Sequence, residues 1–254
     1  MLRIKKLIPT VQLCELKFVH SIESLSNIPA GKVRINTMYA YSFTVVQRDQ
    51  IYAESIRSSD FLTPDGQSIV WAAKFLGMKD APKERIAGWD LFCFEMERVR
   101  REAVGAGTPQ KVMFMGSSEK VLALIRERAA KDYPELEIVT YSPPYKLEFS
   151  EEDNAAIIKE INEANPDLLW IGMTAPKQEK WVYAHWDELD IRCHCGAIGA
   201  VFDFYAGTVK RAPLWMQKAG MEWLHRLLSN PGRLWRRYII GNAEFIRLIL
   251  KEKL

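Results

Sequence analysis

One carboxylate in the chain is a candidate general base. Asp65 lies in Thr63-Pro64-Asp65-Gly66, directly after the apolar residues Phe61-Leu62. Composition makes this segment a turn, because Pro, Asp and Gly are common turn residues. A turn that follows a buried strand can also hold its carboxylate where ligands bind, and there it could remove a proton from an attacking hydroxyl. The residues alone leave both interpretations open.

Two other segments have the composition of ligand-binding loops. Gly116-Ser117-Ser118 follows the apolar run 111–115, and its amides are suited to a phosphate or a ribose. Pro176-Lys177-Gln178-Glu179 follows the apolar run 168–171, with Lys177 and Gln178 within reach of a ligand. Ordinary helix starts explain both segments as well, with Ser as a cap, Pro in the first turn and Glu near the positive end.

Several familiar site patterns are missing from the sequence. Neither G-x-G-x-x-G nor G-x-x-x-x-G-K-[ST] occurs, which weakens a dinucleotide-binding or P-loop interpretation. Cys193-His194-Cys195 has metal-ligating residue types, but no second ligand pair lies at zinc-like spacing. In a strand the two cysteines would point away from the His194 face, so we expect them in the core and expect no metal site.

The elements that must position these residues alternate between strand and helix. Apolar runs predict strands at 33–36, 61–62, 111–115, 136–140, 168–171, 191–195 and 198–202. Helical patterns cover 40–57, 67–77, a long helix capped by Asp90 and stopped at Gly105-Ala106-Gly107, 119–131, a helix opened by Ser150, and 176–185. This alternation predicts an α/β fold with a parallel, doubly wound sheet, whose ligands bind at the carboxyl ends of the strands.

Length, charge and hydropathy indicate that the chain does not span a bilayer and that any contact with a membrane is from one side. The 254 residues carry a net charge of +3 and contain no apolar run near the ~18–20 residues needed to cross a bilayer. Met1 to Pro9 lacks the apolar stretch of a secretory signal, so a cytoplasmic location is expected.

The last forty-seven residues differ in composition from the rest. Residues 208–254 hold ten Lys/Arg, three acidic residues and the tryptophans Trp215, Trp223 and Trp235. We therefore divide the chain into a core, 1–207, and a basic amphipathic helical appendage, 208–254. The appendage fits either a helix pair packed on the core with a solvated basic face, or an interfacial segment; Trp together with the Lys/Arg excess favours the second. Without a recognition motif or stacking platform, nucleic-acid binding is not expected.

Taken in order, these segments resemble the WecG/TagA/CpsF glycosyltransferase family of bacterial surface-polysaccharide synthesis. No single segment is decisive, but the ordered set runs from about residue 33 to 240. The matching segments are Ile35 to Ala40, Pro64-Asp65-Gly66, Glu84 to Leu91, Gly172-Met173, Pro176 to Glu179, Gly199 to Asp203, Gly207, Lys210 to Pro213, Glu222-Trp223 and Arg226-Leu227.

The resemblance implies a Rossmann-like fold and an inverting, metal-independent transfer of a sugar from a UDP-sugar. The family's usual donors carry N-acetylmannosamine or its uronic acid. Its usual acceptor is N-acetylglucosamine on a polyprenyl diphosphate, at the inner face of the cytoplasmic membrane. The chain has no Asp-x-Asp motif, in agreement with metal independence, so amides and cationic side chains would meet the donor's charge. We expect no cofactor and an anionic membrane surface as a partner, and leave open whether the chain forms a homo-oligomer.

The resemblance also assigns roles to residues. Asp65 matches the general base that deprotonates the acceptor hydroxyl, with Thr37 and Gln178 as catalytic neighbours that contact the donor. Further donor-binding residues would be Asn36, Tyr39, Gly66, Arg85, Gly88, Asp90, Gly116, Ser117, Pro176, Lys177 and Glu179. The appendage would bind the membrane and the acceptor diphosphate through Arg211, Arg226, Arg233, Arg236 and Arg237, because a guanidinium can bind phosphate oxygens bidentately.

One residue departs from the family pattern. Tyr39 stands where members commonly have an Asn that contacts the donor sugar, and a phenol differs from an amide in size and hydrogen bonding. The donor could therefore be the uronic acid, an amide or plain glucose instead of N-acetylmannosamine. Two other classes stay open from the fold class and the tail alone, a Rossmann-type oxidoreductase and a non-catalytic membrane-surface protein.

Overall fold

A six-stranded parallel sheet forms the centre of the computed structural model, which describes residues 11–218 and 220–254, with the backbone alone at 214, 218 and 233. The segment Met1 to Pro9 lies outside the described residues. The strands are β1 Val33–Met38, β2 Phe61–Pro64, β3 Gln110–Gly116, β4 Leu136–Tyr141, β5 Leu168–Gly172 and β6 His194–Ala197. Their order across the sheet is β2-β1-β6-β5-β3-β4, and every pair is parallel.

The central strands are apolar on both sides because helices cover both faces of the sheet. In β3, Val112 and Phe114 enter one core cluster, whereas Met113 and Met115 enter the cluster on the opposite face. Continuous apolar strands of this kind are typical of parallel sheets. The predicted fold class, a Rossmann-like parallel sheet flanked by helices, is confirmed.

Twelve α-helices flank or follow the sheet within the described residues. They are α1 Ala40–Val46, α2 Gln50–Arg57, α3 Gln67–Leu76, α4 Gly88–Ala106, α5 Glu119–Asp132, α6 Glu151–Ala164, α7 Lys177–His185, α8 Gly199–Tyr205, α9 Leu214–Lys218, α10 Glu222–Ser229, α11 Pro231–Trp235 and α12 Gly241–Lys253. A π-helical turn, Arg236–Ile240, joins α11 to α12.

The predicted strand at 198–202 is wrong, because these residues begin a helix. Val201, Phe202 and Tyr205 recur at helical spacing in α8 and pack against one core cluster. A run of about five apolar residues fits a buried strand or a buried helix equally, so periodicity could not separate the two. The strand predicted at 191–195 exists, but as β6 it begins at His194.

Two helix boundaries also differ from the prediction. The stretch 40–57 is two helices, since the Asp49 carboxylate accepts a hydrogen bond from the Tyr52 N–H at 3.0 Å and so caps α2. Asp90 is not the cap of α4. It lies one turn inside, where its carboxylate accepts a hydrogen bond from the Ala87 N–H at 2.9 Å.

The Cys193-His194-Cys195 segment is part of the core, as predicted. Both cysteines are buried in the cluster beneath α6 and α7. His194 points to the other face, where its ring nitrogens lie 3.0 Å from a Glu95 carboxylate oxygen and 3.0 Å from the Pro29 carbonyl.

The final helix packs into the core as well as presenting apolar residues outward. Phe245 and Ile249 of α12 join the cluster that contains Phe43, and the Glu252 carboxylate accepts hydrogen bonds at 2.8 Å from the N–H groups of Leu13 and Cys14. No helix among the described residues is both long enough and apolar enough to cross a membrane. The proposed division at residue 207 stays a prediction, and α12 is anchored to the core across it.

The tight packing at the centre of the sheet predicts that an added methyl group there lowers stability. Gly196 of β6 pairs with Trp170 of β5, and a Cβ at Gly196 would overlap the fully buried Trp170 ring. Gly196→Ala should lower the free energy of unfolding by about 1–3 kcal/mol, measured by chemical denaturation. The control is Gly105→Ala in α4, where a Cβ meets open space and stability should hold or rise slightly. Equal stability of both variants would show that Trp170 repacks freely.

Candidate functional site

The predicted site residues converge on one edge of the sheet. Because all strands are parallel, their carboxyl ends share that edge. Thr37 lies near the end of β1, Asp65 follows β2, Gly116 ends β3, and Gln178 belongs to the helix that follows β5. The clustering expected from the fold class is therefore present.

Asp65 is held firmly at this edge. Its N–H donates a hydrogen bond to the Met38 carbonyl at 2.7 Å, and Gly66 after it is the N-cap of α3. Thr37 and Thr63 are register partners on the adjacent strands. The Thr63 hydroxyl is buried and finds no hydrogen-bond partner among the described residues, which leaves a polar group directly beneath the turn.

The surroundings of Asp65 make its carboxyl a weaker acid than usual. Burial raises the pKa of Asp65 to about 6, with the negative charges of Glu222 and Asp90 adding to the rise while Arg85 and Arg226 oppose it. A carboxyl with this pKa is ionised at neutral pH and yet basic enough to accept a proton from a reacting hydroxyl.

Glu222 connects the C-terminal segment, which is the appendage of residues 208–254, to this edge. Its carboxylate lies 3.2 Å from an Arg85 guanidinium nitrogen and 3.4 Å from one of Arg211. Arg85 also lies 3.7 Å from Asp90. The side chains of Arg85 and Glu222 are only 19% and 16% exposed, so solvent screens this pair less than a surface pair.

Glu222 was not among the predicted site residues. The segment Glu222-Trp223 belonged to the resemblance, but nothing in the chain between it and Asp65 signals that the two come together. The structure also brings Arg226 to the same edge, with its guanidinium carbon 5.7 Å from the centre of the Phe204 ring. Asp65 therefore lies between the core and α10.

Gln178 and Glu179 form a buried polar pair at the start of α7. The Gln178 carbonyl oxygen accepts hydrogen bonds from Met173 N–H at 3.2 Å and Gly199 N–H at 3.1 Å. Its amide nitrogen donates to one Glu179 oxygen at 2.8 Å. Gln178 thus ties together the loops after β5 and β6, a positioning contact that residue type alone did not reveal.

The Glu179 carboxyl is the other strongly perturbed acid at this edge. Only 2% of the residue is exposed, and its second carboxyl oxygen has no hydrogen-bond partner within the described structure. Burial raises the pKa of Glu179 to about 7, against the lowering effects of the Gln178 hydrogen bond and the Arg237 charge.

Four more of the predicted donor-binding residues are Asn36, Lys177, Pro176 and Gly88. Asn36 turns inward, where its amide donates to the Ser59 hydroxyl at 2.8 Å. The Lys177 ammonium donates to the Lys146 carbonyl at 2.6 Å and lies over the Phe149 ring. Pro176 caps α7 and Gly88 begins α4 against Ile198 and Val201.

Gly116 and Ser117 lie four strand positions along the edge from Asp65. Gly116 has a φ of 122° and a Cβ there would overlap the Gly172 backbone, so the close approach of these strands requires glycine. The Ser117 N–H donates to the Gly172 carbonyl at 2.9 Å. β3 is separated from β2 by three strands, which places this loop roughly 19 Å from the Asp65 turn at the usual strand spacing. The two loops can hold opposite ends of one extended ligand.

The appendage arginines do not share one environment. Arg211 lies over Trp89 at 5.0 Å, and Arg226 lies near Asp65, whereas Arg236 is exposed beside Trp235. Arg237 turns inward and donates a hydrogen bond to the Tyr39 hydroxyl. The Arg233 side chain lies outside the described structure.

With the geometry described, comparison with known proteins defines the class. The model of the glycosyl transferase WecG/TagA/CpsF family matches residues 9–254, and the chain belongs to this family. It is therefore a glycosyltransferase, as predicted. Within the described residues no group of three or more His, Cys, Asp or Glu side chains is arranged to hold a metal ion.

Similar individual proteins carry one name. The chain is 29% identical over 208 residues to the N-acetylglucosaminyldiphosphoundecaprenol N-acetyl-beta-D-mannosaminyltransferase of Bacillus subtilis (strain 168), covering 81% of this chain and 74% of that protein. It is 30% identical over 202 residues to the protein of the same name from Bacillus spizizenii, covering 80% and 72%. The Staphylococcus aureus (strain MW2) protein of that name is 28% identical, covering 79% and 71%.

The buried Glu179 carboxyl predicts a pH dependence of stability. Because its pKa in the folded state, about 7, exceeds the ordinary value of 4.5, the folded protein holds this proton more tightly than the unfolded chain. Stability should then fall as pH rises from about 4.5 to 7, by up to about 3 kcal/mol from this group. Glu179→Gln should flatten that fall, measured by urea unfolding at pH 5 and pH 8.

The matched control is Glu160→Gln, at an exposed position of α6. It should keep the wild-type pH dependence. If Glu179→Gln and Glu160→Gln show the same slope between pH 5 and pH 8, Glu179 is not protonated in the folded protein near neutrality.

Proposed function

We propose that this chain transfers N-acetylmannosamine from a UDP-sugar to N-acetylglucosamine on a polyprenyl diphosphate, at the inner face of the cytoplasmic membrane. The acceptor and the transferred sugar follow the names of the similar Bacillus and Staphylococcus proteins. The observation that carries the chemistry is Asp65, a carboxyl with a pKa of about 6 at the carboxyl edge of the sheet.

In the proposed reaction Asp65 acts as the general base. Its carboxylate takes the proton of the acceptor hydroxyl while that oxygen attacks the anomeric carbon of the donor. The new C–O bond forms as the bond from the anomeric carbon to the UDP oxygen breaks, so UDP leaves with the bonding pair and the anomeric configuration inverts. The pKa of about 6 supports this role, because the base must be unprotonated before the transfer.

The distance between the two loops supports an extended nucleotide-sugar as the donor. The Gly116-Ser117 loop lies roughly 19 Å along the edge from Asp65, four strand spacings away. In the proposal this end binds the nucleotide and the Asp65 end receives the sugar. Arg85 and Arg226 near Asp65 supply positive charge for the diphosphate groups, in a reaction that uses no metal ion.

Exposed side chains of the C-terminal segment support its role at the membrane. In the described part of residues 208–254, large apolar side chains face solvent at Val209, Trp215, Trp223, Leu228, Trp235, Ile239, Ile240, Ile246, Leu250 and Leu254. The sequence from 208 to 254 also carries ten Lys/Arg and three acidic residues. Exposed Trp and Ile beside an excess of positive charge are typical of segments that lie on anionic lipid.

The test of this function is transfer to a lipid-linked acceptor. A panel of UDP-N-acetylmannosamine, its uronic acid, UDP-N-acetylglucosamine and UDP-glucose should give product with UDP-N-acetylmannosamine, and equally with a chelator present. Turnover of UDP-glucose alone would overturn the proposed donor. Stabilisation by NAD(P) without transfer from any UDP-sugar would overturn the proposed function.

Asp65→Asn should abolish most of the transfer. Loss of the base should lower kcat by about 10²–10⁴-fold while the thermal midpoint and UDP binding stay near wild type. The wild-type kcat/KM should rise with pH through about 6, since only the carboxylate accepts the proton. The control Asp80→Asn changes an exposed carboxyl and should have no effect. Normal turnover by Asp65→Asn would remove Asp65 from the mechanism.

The membrane role is tested with the exposed tryptophans. Trp215 and Trp235 are 63% and 44% exposed, and replacing both with Ser should weaken binding to anionic vesicles by at least about ten-fold. Turnover of a water-soluble acceptor analogue should persist. Trp71→Ser, at a residue 62% exposed on α3, is the control outside the segment. An equal loss in the control would contradict the assignment to the tail.

A further inference from the structure

The side chain that departs from the family pattern contacts the C-terminal segment. The Tyr39 hydroxyl accepts a hydrogen bond from Arg237, whose guanidinium carbon also lies 4.6 Å from the centre of the Tyr39 ring. The rings of Tyr41 and Tyr238 lie 5.7 Å and 5.9 Å from the same carbon. A cation enclosed by aromatic faces is favoured where water is excluded. The Arg237 side chain is thus fixed between the core and its own helix.

Tyr39 also lies next to the turn that carries Asp65. It directly follows Met38, whose carbonyl accepts the Asp65 N–H at 2.7 Å. A Cβ built on Gly66 would stand 3.7 Å from the Tyr39 Cβ, an ordinary packing distance. The same residue therefore adjoins the catalytic turn on one side and the C-terminal segment on the other.

A second contact links the Tyr39–Arg237 contact, which we call the anchor, to α10. The ring of Tyr238, next to Arg237, lies 6.0 Å from the ring of Trp223, and Trp223 follows Glu222. Glu222 bonds to Arg85, and the charges of Glu222 and Arg226 both act on Asp65. The path from Tyr39 to the base thus runs through two ring or guanidinium contacts and one ion pair.

We propose that Tyr39 is a positioning residue, which holds the C-terminal segment through Arg237 so that Glu222 and Arg226 stand beside Asp65. This inference rests on the proposed function for its kinetic consequences. Tyr39 then acts on the transfer through the tail, and its side chain does not select the donor sugar. An Asn at this position would lack both the ring and the reach of the phenol and so could not make this contact with Arg237.

Hydrogen exchange tests the anchor without any turnover. Tyr39→Phe keeps the ring but removes the hydrogen-bond acceptor, and backbone exchange over 222–240 should become roughly ten-fold faster, since a hydrogen bond to a charged group is worth at least that factor. Tyr183→Phe, at a partly exposed tyrosine of α7, is the matched control and should leave this exchange unchanged. Unchanged exchange in Tyr39→Phe, with the fold intact by circular dichroism, would overturn the anchor.

Kinetics then separate positioning from donor selection. For Tyr39→Phe we expect kcat to fall several-fold with the KM for the UDP-sugar and the order of donor preference unchanged. The acid limb of kcat/KM should move to lower pH, because burial is the largest cause of the raised Asp65 pKa and a loosened tail exposes the turn. The charged groups that face Asp65 in this experiment are Arg85, Asp90, Glu222 and Arg226.

A double variant provides the decisive comparison. If Tyr39 acts through Arg237, Tyr39→Phe combined with Arg237→Gln should be no slower than the slower single variant. The positioning role would be overturned if the losses of the two single variants multiply in the double variant. A changed donor preference in Tyr39→Phe would also overturn it. Absence of transfer by the wild-type chain would overturn the proposed function instead, and the exchange result on residues 222–240 would still decide the anchor.

Discussion

The ion pair between Arg85 and Glu222 is the interaction on which the site depends. Arg85 comes from the loop before α4 and Glu222 from the start of α10, so the pair joins the core to the C-terminal segment at the position of Asp65. Both side chains are mostly buried, and a second arginine, Arg211, lies 3.4 Å from the same carboxylate. Removing one partner would leave the other desolvated without compensation, which costs more than a surface pair contributes. The pair therefore holds the segment against the core at Asp65.

The pKa of Asp65 results from opposing effects of burial and of neighbouring charges. Burial and the charges of Glu222 and Asp90 raise the pKa of Asp65, while Arg85 and Arg226 lower it. Three of these charges are also partners in the ion pairs that fix the segment, so the charges that hold the segment also set the proton affinity of the carboxyl. Burial disfavours the charged carboxylate and the two arginines favour it, so the raised pKa reflects the balance of the two.

Sequence periodicity predicted the sheet because strands buried on both faces leave a strong signal. Val112 to Met115 and Leu168 to Ile171 are continuously apolar, and each lies where it was expected. The helix α8 was missed because its apolar residues are too few to distinguish a helical period from a strand. The loops at the carboxyl edge followed from the fold class, but Glu222 did not. A contact between α10 and Arg85 depends on how the last helices return to the core, and no local pattern encodes that path.

The last helix shows why the two interpretations of the tail need not exclude each other. An amphipathic helix has one apolar face, and periodicity cannot say whether protein or lipid covers it. In α12 Phe245 and Ile249 pack against the core, while Ile246 and Leu250, which flank that side of the helix, remain exposed. The apolar side of the helix is therefore wider than its contact with the core. Because the Glu252 carboxylate accepts hydrogen bonds from the N–H groups of Leu13 and Cys14, the exposed side is held in a fixed orientation relative to the carboxyl edge of the sheet. A surface that adsorbed to lipid through this face would thereby orient Asp65 with respect to the bilayer without any further hinge.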